Sequence, residues 1–138
     1  MQLTDTPRMW PYEPSNSPLP LPPQPLVVTQ QRLHWVNAGR IVGDAMSANE
    51  IRSTVAGWKT DSGMTVDAIL QQEGAPLMQE RRMILLLGEL ANPCRLADVR
   101  TGPIPIINVR IDDFCRTWTD MLDPRMMNPG VHHVTAAR

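Results

Sequence analysis

Aromatic side chains are scarce in this 138-residue chain: four Trp, one Tyr and one Phe, 4% of the sequence. Aliphatic and Met side chains must fill any interior, and nine Met provide adaptable packing. Cysteine is nearly absent as well. Cys94 and Cys115 form no CxxC and have no His pair at ligand spacing, which excludes zinc-type and dithiol redox motifs. Their separation in sequence leaves a bridge between them open. No long apolar run exists, since the longest, Met83 to Leu87, falls far short of a membrane span. The first apolar block is interrupted by prolines throughout, which excludes a secretory signal. The expected location is therefore soluble, in cytoplasm or in a virion. There is also no excess charge of one sign: the formal net charge is −1, too little positive charge for a chain that neutralises many phosphates alone. Basic residues are lopsided, with Lys59 the single lysine. Such a bias arises from GC-rich coding and also suits interface ion pairs.

Proline is what the chain has in plenty. Eight of the fourteen prolines fall between Pro7 and Pro25, densest in Ser17-Pro18-Leu19-Pro20-Leu21-Pro22-Pro23-Gln24-Pro25. Each lacks an amide proton and biases the preceding residue toward extended geometry, so residues 1–26 read as an extended arm. The arm also carries Trp10, Tyr12, Leu19 and Leu21. Extended, semi-rigid and apolar chain needs another surface to lie on.

Behind the arm, the pattern predicts a mainly α domain over residues 27–123, a compact bundle of four to five short helices, followed by an irregular tail over 124–138. Thr29 is a fair N-cap for a helix to about Asp44, weakened by Gly39 and Gly43. Ser47-Ala48-Asn49-Glu50 is a capping box, and Ile51, Val55 and Trp58 follow it as an apolar stripe. Thr65 opens a third helix with Val66, Ile69 and Leu70 inward, ending near Gly74. Residues 77–91, apolar on nearly all sides at Met83 to Leu87, predict a central buried helix stopped by Asn92-Pro93. Pro103 and Pro105 make the next stretch extended, and with no second strong strand it reads as a connector. Asp112 or Asp113 then caps a last helix through Phe114, Trp118 and Leu122.

Candidate chemistry is thin. His132-His133 are adjacent in the tail without acidic or Cys partners at ligand spacing, which leaves no metal site. Gly102-Pro103 lacks the Lys and the context of a phosphate loop. Among the serines near the domain, only His34 could serve as a base. These features predict no enzyme, no cofactor and no small-molecule substrate. Arg81, Arg82, Arg95 and Arg100 are candidates for nucleic-acid contact if several subunits combine their charge.

Leu96-Ala97-Asp98-Val99-Arg100-Thr101-Gly102-Pro103 with Ile111-Asp112-Asp113-Phe114-Cys115-Arg116-Thr117 resembles the major homology region of retroviral capsid proteins. The polar Gln, Glu and Arg of that region correspond here to Thr101, Pro105 and Asp113. The resemblance carries over no site and no membership.

The whole plan, a compact domain with an apolar arm, predicts a structural subunit of a homo-oligomeric assembly of the small helical coat or virion type. Its partners are copies of itself, with Trp10, Tyr12, Leu19 and Leu21 as subunit-interface anchors. The alternative is a soluble adaptor, with the PxxP spacings Pro20/Pro23 and Pro22/Pro25 read by a Pro-recognising domain.

Overall fold

The structure, a computed structural model, describes residues 21–39, 45–87, 91–98, 102–119 and 133–137. It is mixed α/β and corrects the expectation of a mainly α bundle. A four-stranded antiparallel sheet is built from β1 (Leu26–Val28), β2 (Leu33–Asn37), β3 (Lys59–Thr60) and β4 (Ile104–Ile106), in the order β3-β2-β1-β4. Its helices are short: α1 (Ala48–Ala56), α2 (Val66–Gln72) and α3 (Pro93–Asp98). A separate two-stranded ribbon pairs β5 (Cys115–Thr119) with β6 (His133–Ala137). The tail expected to be irregular thus contains a strand.

The helix expected from Thr29 is instead a hairpin. Leu26-Val27-Val28 pairs with Trp35-His34-Leu33, and Thr29 closes the turn, its N–H and Oγ1 both donating to the Arg32 carbonyl at 3.0 Å. A strand alternates its side chains, and here both faces are covered. Val27 and Val36 join the cluster formed with Val55 of α1 and with Val66, Ile69 and Leu70 of α2. Leu26, Val28 and Leu33 form a second cluster on the opposite face, packed by Trp35, Ala97 of α3 and Ile106. A strand buried on both faces reads as a continuous apolar run rather than as alternation, so its period is invisible in sequence. Gly39 adds a helix penalty that the hairpin avoids.

The edges of this sheet are blunted. The Val36 N–H donates to the Pro25 carbonyl at 2.9 Å, and Thr29 bonds Arg32, so the odd-numbered residues of β1 bond to β2. Leu26 and Val28 therefore face Ile106 and Ile104 of β4, and Pro105, opposite Val27, sits where its nitrogen points outward. A proline there costs no ladder bond and leaves no donor for an incoming strand. At the other edge β3 is two residues long and folds into its own turn, with the Thr60 N–H donating to the Met64 carbonyl at 2.8 Å.

The two helices with clear caps follow the sequence closely. At α1 the Glu50 carboxylate accepts from the Ser47 N–H at 2.7 Å, and the Glu50 N–H returns to Ser47 Oγ at 3.3 Å. The Ser47 hydroxyl also donates to that carboxylate at 2.7 Å, and the hydroxyl and N–H together hold the Glu50 carboxyl below its ordinary range. Thr65 Oγ1 caps α2 by accepting the Ala68 N–H at 3.2 Å. Gly74, at φ +64°, ends α2: its N–H donates to Gln71, and the Ala75 N–H to Leu70. That pair of bonds closes the helix end with a left-handed residue. Among the described residues no helix is long and apolar enough to cross a membrane.

Candidate interaction surface

The segment after α2 departs most from the sequence expectation. In place of a central helix over 77–91, Met78–Glu80 form one 3-10 turn and the chain then runs irregularly through residue 87. Neighbouring elements fasten the turn. The Met78 N–H donates to Asp67 Oδ1 at 3.0 Å, and the Met78 side chain is buried in the helical cluster. Gln79 Nε2 donates to Ser53 Oγ of α1 at 2.6 Å, and Arg52 reaches the Arg81 carbonyl at 3.4 Å. α1, α2 and Met78 cover this face of the sheet, so the segment after Met78 does not pack there as a central helix.

The consequence is apolar side chains in water. Ile84 is 79% exposed, with Met83 and Leu85 about half exposed on either side. A second stretch behaves alike: Val109 is 64% exposed, and Ile111 and Phe114 are also exposed. The helix expected after Asp112 is absent here; Asp113 instead takes a left-handed conformation, φ +63°, in a turn leading into β5. Asp is one of the few non-glycine residues that adopts this region readily. Arg110 Nε pairs with Asp112 Oδ1 at 3.2 Å in the same turn, fully out in solvent, where such a pair contributes little.

The end of the arm lies against this second stretch. Pro22 is buried, and its carbonyl accepts Asn108 Nδ2 at 2.8 Å, one residue before Val109. Leu21 is half-buried, and Pro25 and Leu26 belong to the sheet through the Val36 bond and β1. The other expected anchors, Trp10, Tyr12 and Leu19, lie outside the described residues. Burial of Pro22 removes one PxxP register, Pro22/Pro25, from the reach of an aromatic groove.

Of the four arginines proposed for nucleic-acid contact, the described residues show the side chains of two. Arg82 is exposed, whereas Arg81 is half-buried and its Nε donates to the Pro76 carbonyl at 2.8 Å. Burial lowers the Arg81 pKa from its ordinary value, with Asp67 and Glu80 opposing that shift. Arg95 belongs to α3, but its side chain and all of Arg100 lie outside the described residues. Cys115 is a free, exposed thiol. Among the described residues no group of three His, Cys, Asp or Glu side chains converges as a metal site.

Apolar content predicts helix faces at Met83 to Leu87 and at Ile111 and Phe114, because it signals burial without saying in which molecule the burial occurs. Comparison with known proteins finds nothing similar: no family model, no curated protein and no solved structure matches the chain.

Proposed function

We propose that this chain is a non-enzymatic structural subunit of a repetitive homo-oligomeric assembly of the coat or virion type, its N-terminal arm strapping neighbouring copies. The observation that carries the reading is the solvent-facing run Met83-Ile84-Leu85. Exposing adjacent large aliphatic side chains costs roughly 1.5–3 kcal/mol each relative to full burial, and a second subunit can recover that. An interface of ordinary size buries about 1,200–2,000 Å², to which three side chains contribute only a minor part. The apolar arm, with Trp10, Tyr12, Leu19 and Leu21, is suited to supply the rest. Its ordering costs about 1–2 kcal/mol per backbone residue, so the large side chains must offset that cost. The bond from Asn108 to the Pro22 carbonyl, one residue before exposed Val109, supports an arm that starts from this side of the domain. A Pro-recognising partner is the weaker use of the arm, since Pro22 is buried. Nucleic acid, if taken up, would need the arginines of several subunits together.

Light scattering and electron microscopy test this reading, applied to the full chain and to a chain lacking residues 1–20. The truncation keeps Pro22, Pro25 and Leu26, which the domain uses. The full chain should form a regular multi-subunit particle, and the truncated one a folded monomer. A full chain that stays monomeric at every concentration overturns the assembly reading. A truncated chain that builds the same particle overturns the strap.

A further inference from the structure

The centre of the sheet holds one titratable side chain that the assembly reading does not use. His34 lies mid-strand in β2, opposite Val27 of β1, and is only 8% exposed. Strand alternation places it with Val36 on the face packed by α1 and α2. Its neighbours Leu33 and Trp35 serve the opposite cluster. The Nδ1 atom is buried and has no hydrogen-bond partner among the described residues. Among the described residues, the charges facing it are Arg32 of the hairpin turn, Asp61 beyond β3 and Glu73 at the end of α2. The Asp61 N–H is itself bonded to the Trp35 carbonyl at 2.8 Å, which ties that turn to His34's own strand.

We propose that His34 is an acid-sensitive latch: the sheet closes on the neutral imidazole, and protonation at His34 opens the β1–β2 hairpin and both cores together. A neutral imidazole carries one donor and one acceptor, whereas the imidazolium carries two donors and a charge. An imidazolium formed in place would leave a charged, buried donor at Nδ1 without an acceptor among the described residues. Asp61 and Glu73 pull toward the charged form, while burial and Arg32 oppose it. Burial is the largest of these influences, and the His34 pKa is lowered from its ordinary 6.5. The unfolded chain then binds more protons than the folded one between that ordinary value and the lowered one. Stability is therefore complete above about pH 6.5, falls as pH drops through this window, and levels off below the folded pKa. Because both clusters rest on this hairpin, the stability lost in acid is that of the whole domain rather than of one loop.

One titrating proton changes the folding equilibrium by at most about tenfold per pH unit, which sets the size of the signal. The experiment is urea unfolding of the full chain from pH 7.5 to 5.0, for the wild type, His34→Phe, His34→Gln, and a control with His132→Gln and His133→Gln. The three histidines of the chain are thereby separated. The expected result is loss of stability below about pH 6.5 in the wild type and in the control, with a flat profile in whichever His34 variants fold. NMR titration of the wild-type imidazoles gives a second readout, in which His34 should titrate below its ordinary 6.5. An acid response that survives in a folded His34 variant, a wild type equally stable from pH 7.5 to 5.0, or His34 titrating at or above that ordinary value would overturn the proposal.

Discussion

Replacing Ile84 by Ala separates two readings of the same residues by their free energies. Were residues 77–91 a helix buried on all sides, Ile84 would be core, and truncation would cost about 2–5 kcal/mol including the cavity. In the structure Ile84 is 79% exposed, so only about a fifth of the side chain leaves water on folding. With roughly 1.5–3 kcal/mol for complete burial, the truncation should cost only about 0.3–0.6 kcal/mol. Leu70→Ala is the internal standard: Leu70 is fully buried in α2 against the sheet and should cost about 2–5 kcal/mol. Urea unfolding at low protein concentration measures both. With an m-value of about 1–3 kcal/mol/M, Leu70→Ala should shift the midpoint by about 1 M or more, and Ile84→Ala by a small fraction of that. A loss of about 2 kcal/mol for Ile84→Ala at unchanged m refutes the exposed placement. The same variant also probes assembly, because a side chain idle in the monomer can matter only between subunits. Ile84→Glu should thus leave the monomer folded and reduce particle formation by light scattering.

Further substitutions probe single physical causes. Ser47→Ala removes the α1 cap and should lower stability by about 1 kcal/mol in urea or thermal unfolding. Gly74→Ala meets nothing within 4 Å, so its cost is the left-handed backbone alone, about 1–2 kcal/mol by the same assay. Asn108→Ala deletes the bond to the Pro22 carbonyl and should cost about 0.5–1.5 kcal/mol, with faster amide exchange near residue 21. Pro105→Val restores an outward donor on β4; it should barely change monomer stability while raising aggregation seen by thioflavin binding and turbidity.

Some of this fold could be read directly from local chemistry. The capping box at Ser47, the inward set Val66, Ile69 and Leu70, and the stop at Gly74 all stand in the structure, since each depends on residues within one helical turn. The sheet could not be read that way. Its strands β1, β3 and β4 are two or three residues long, below the length at which alternation becomes visible, and β1 is apolar on both faces. Ile104 to Ile106 reads as a connector because its pairing partner gives no strand signal: Leu26 ends the proline-rich arm, and Val27 and Val28 are the two residues ahead of the Thr29 cap. His34 appeared as a spare base and proved to be the buried centre of a strand.

The sequence by itself determined the caps that begin α1 and α2 and the Gly74 stop that ends α2. It also determined that the chain carries more aliphatic surface than polar patterning would suggest. Only the tertiary structure decided where that surface goes: Leu26 to Val28 into a sheet covered on both faces, Met83 to Leu85 into solvent. The physical reason is that capping is a local hydrogen-bond question, answered within four residues. Burial depends on which distant elements take each face of the sheet: α1, α2 and Met78 take one, and Ala97 and Ile106 pack on the other.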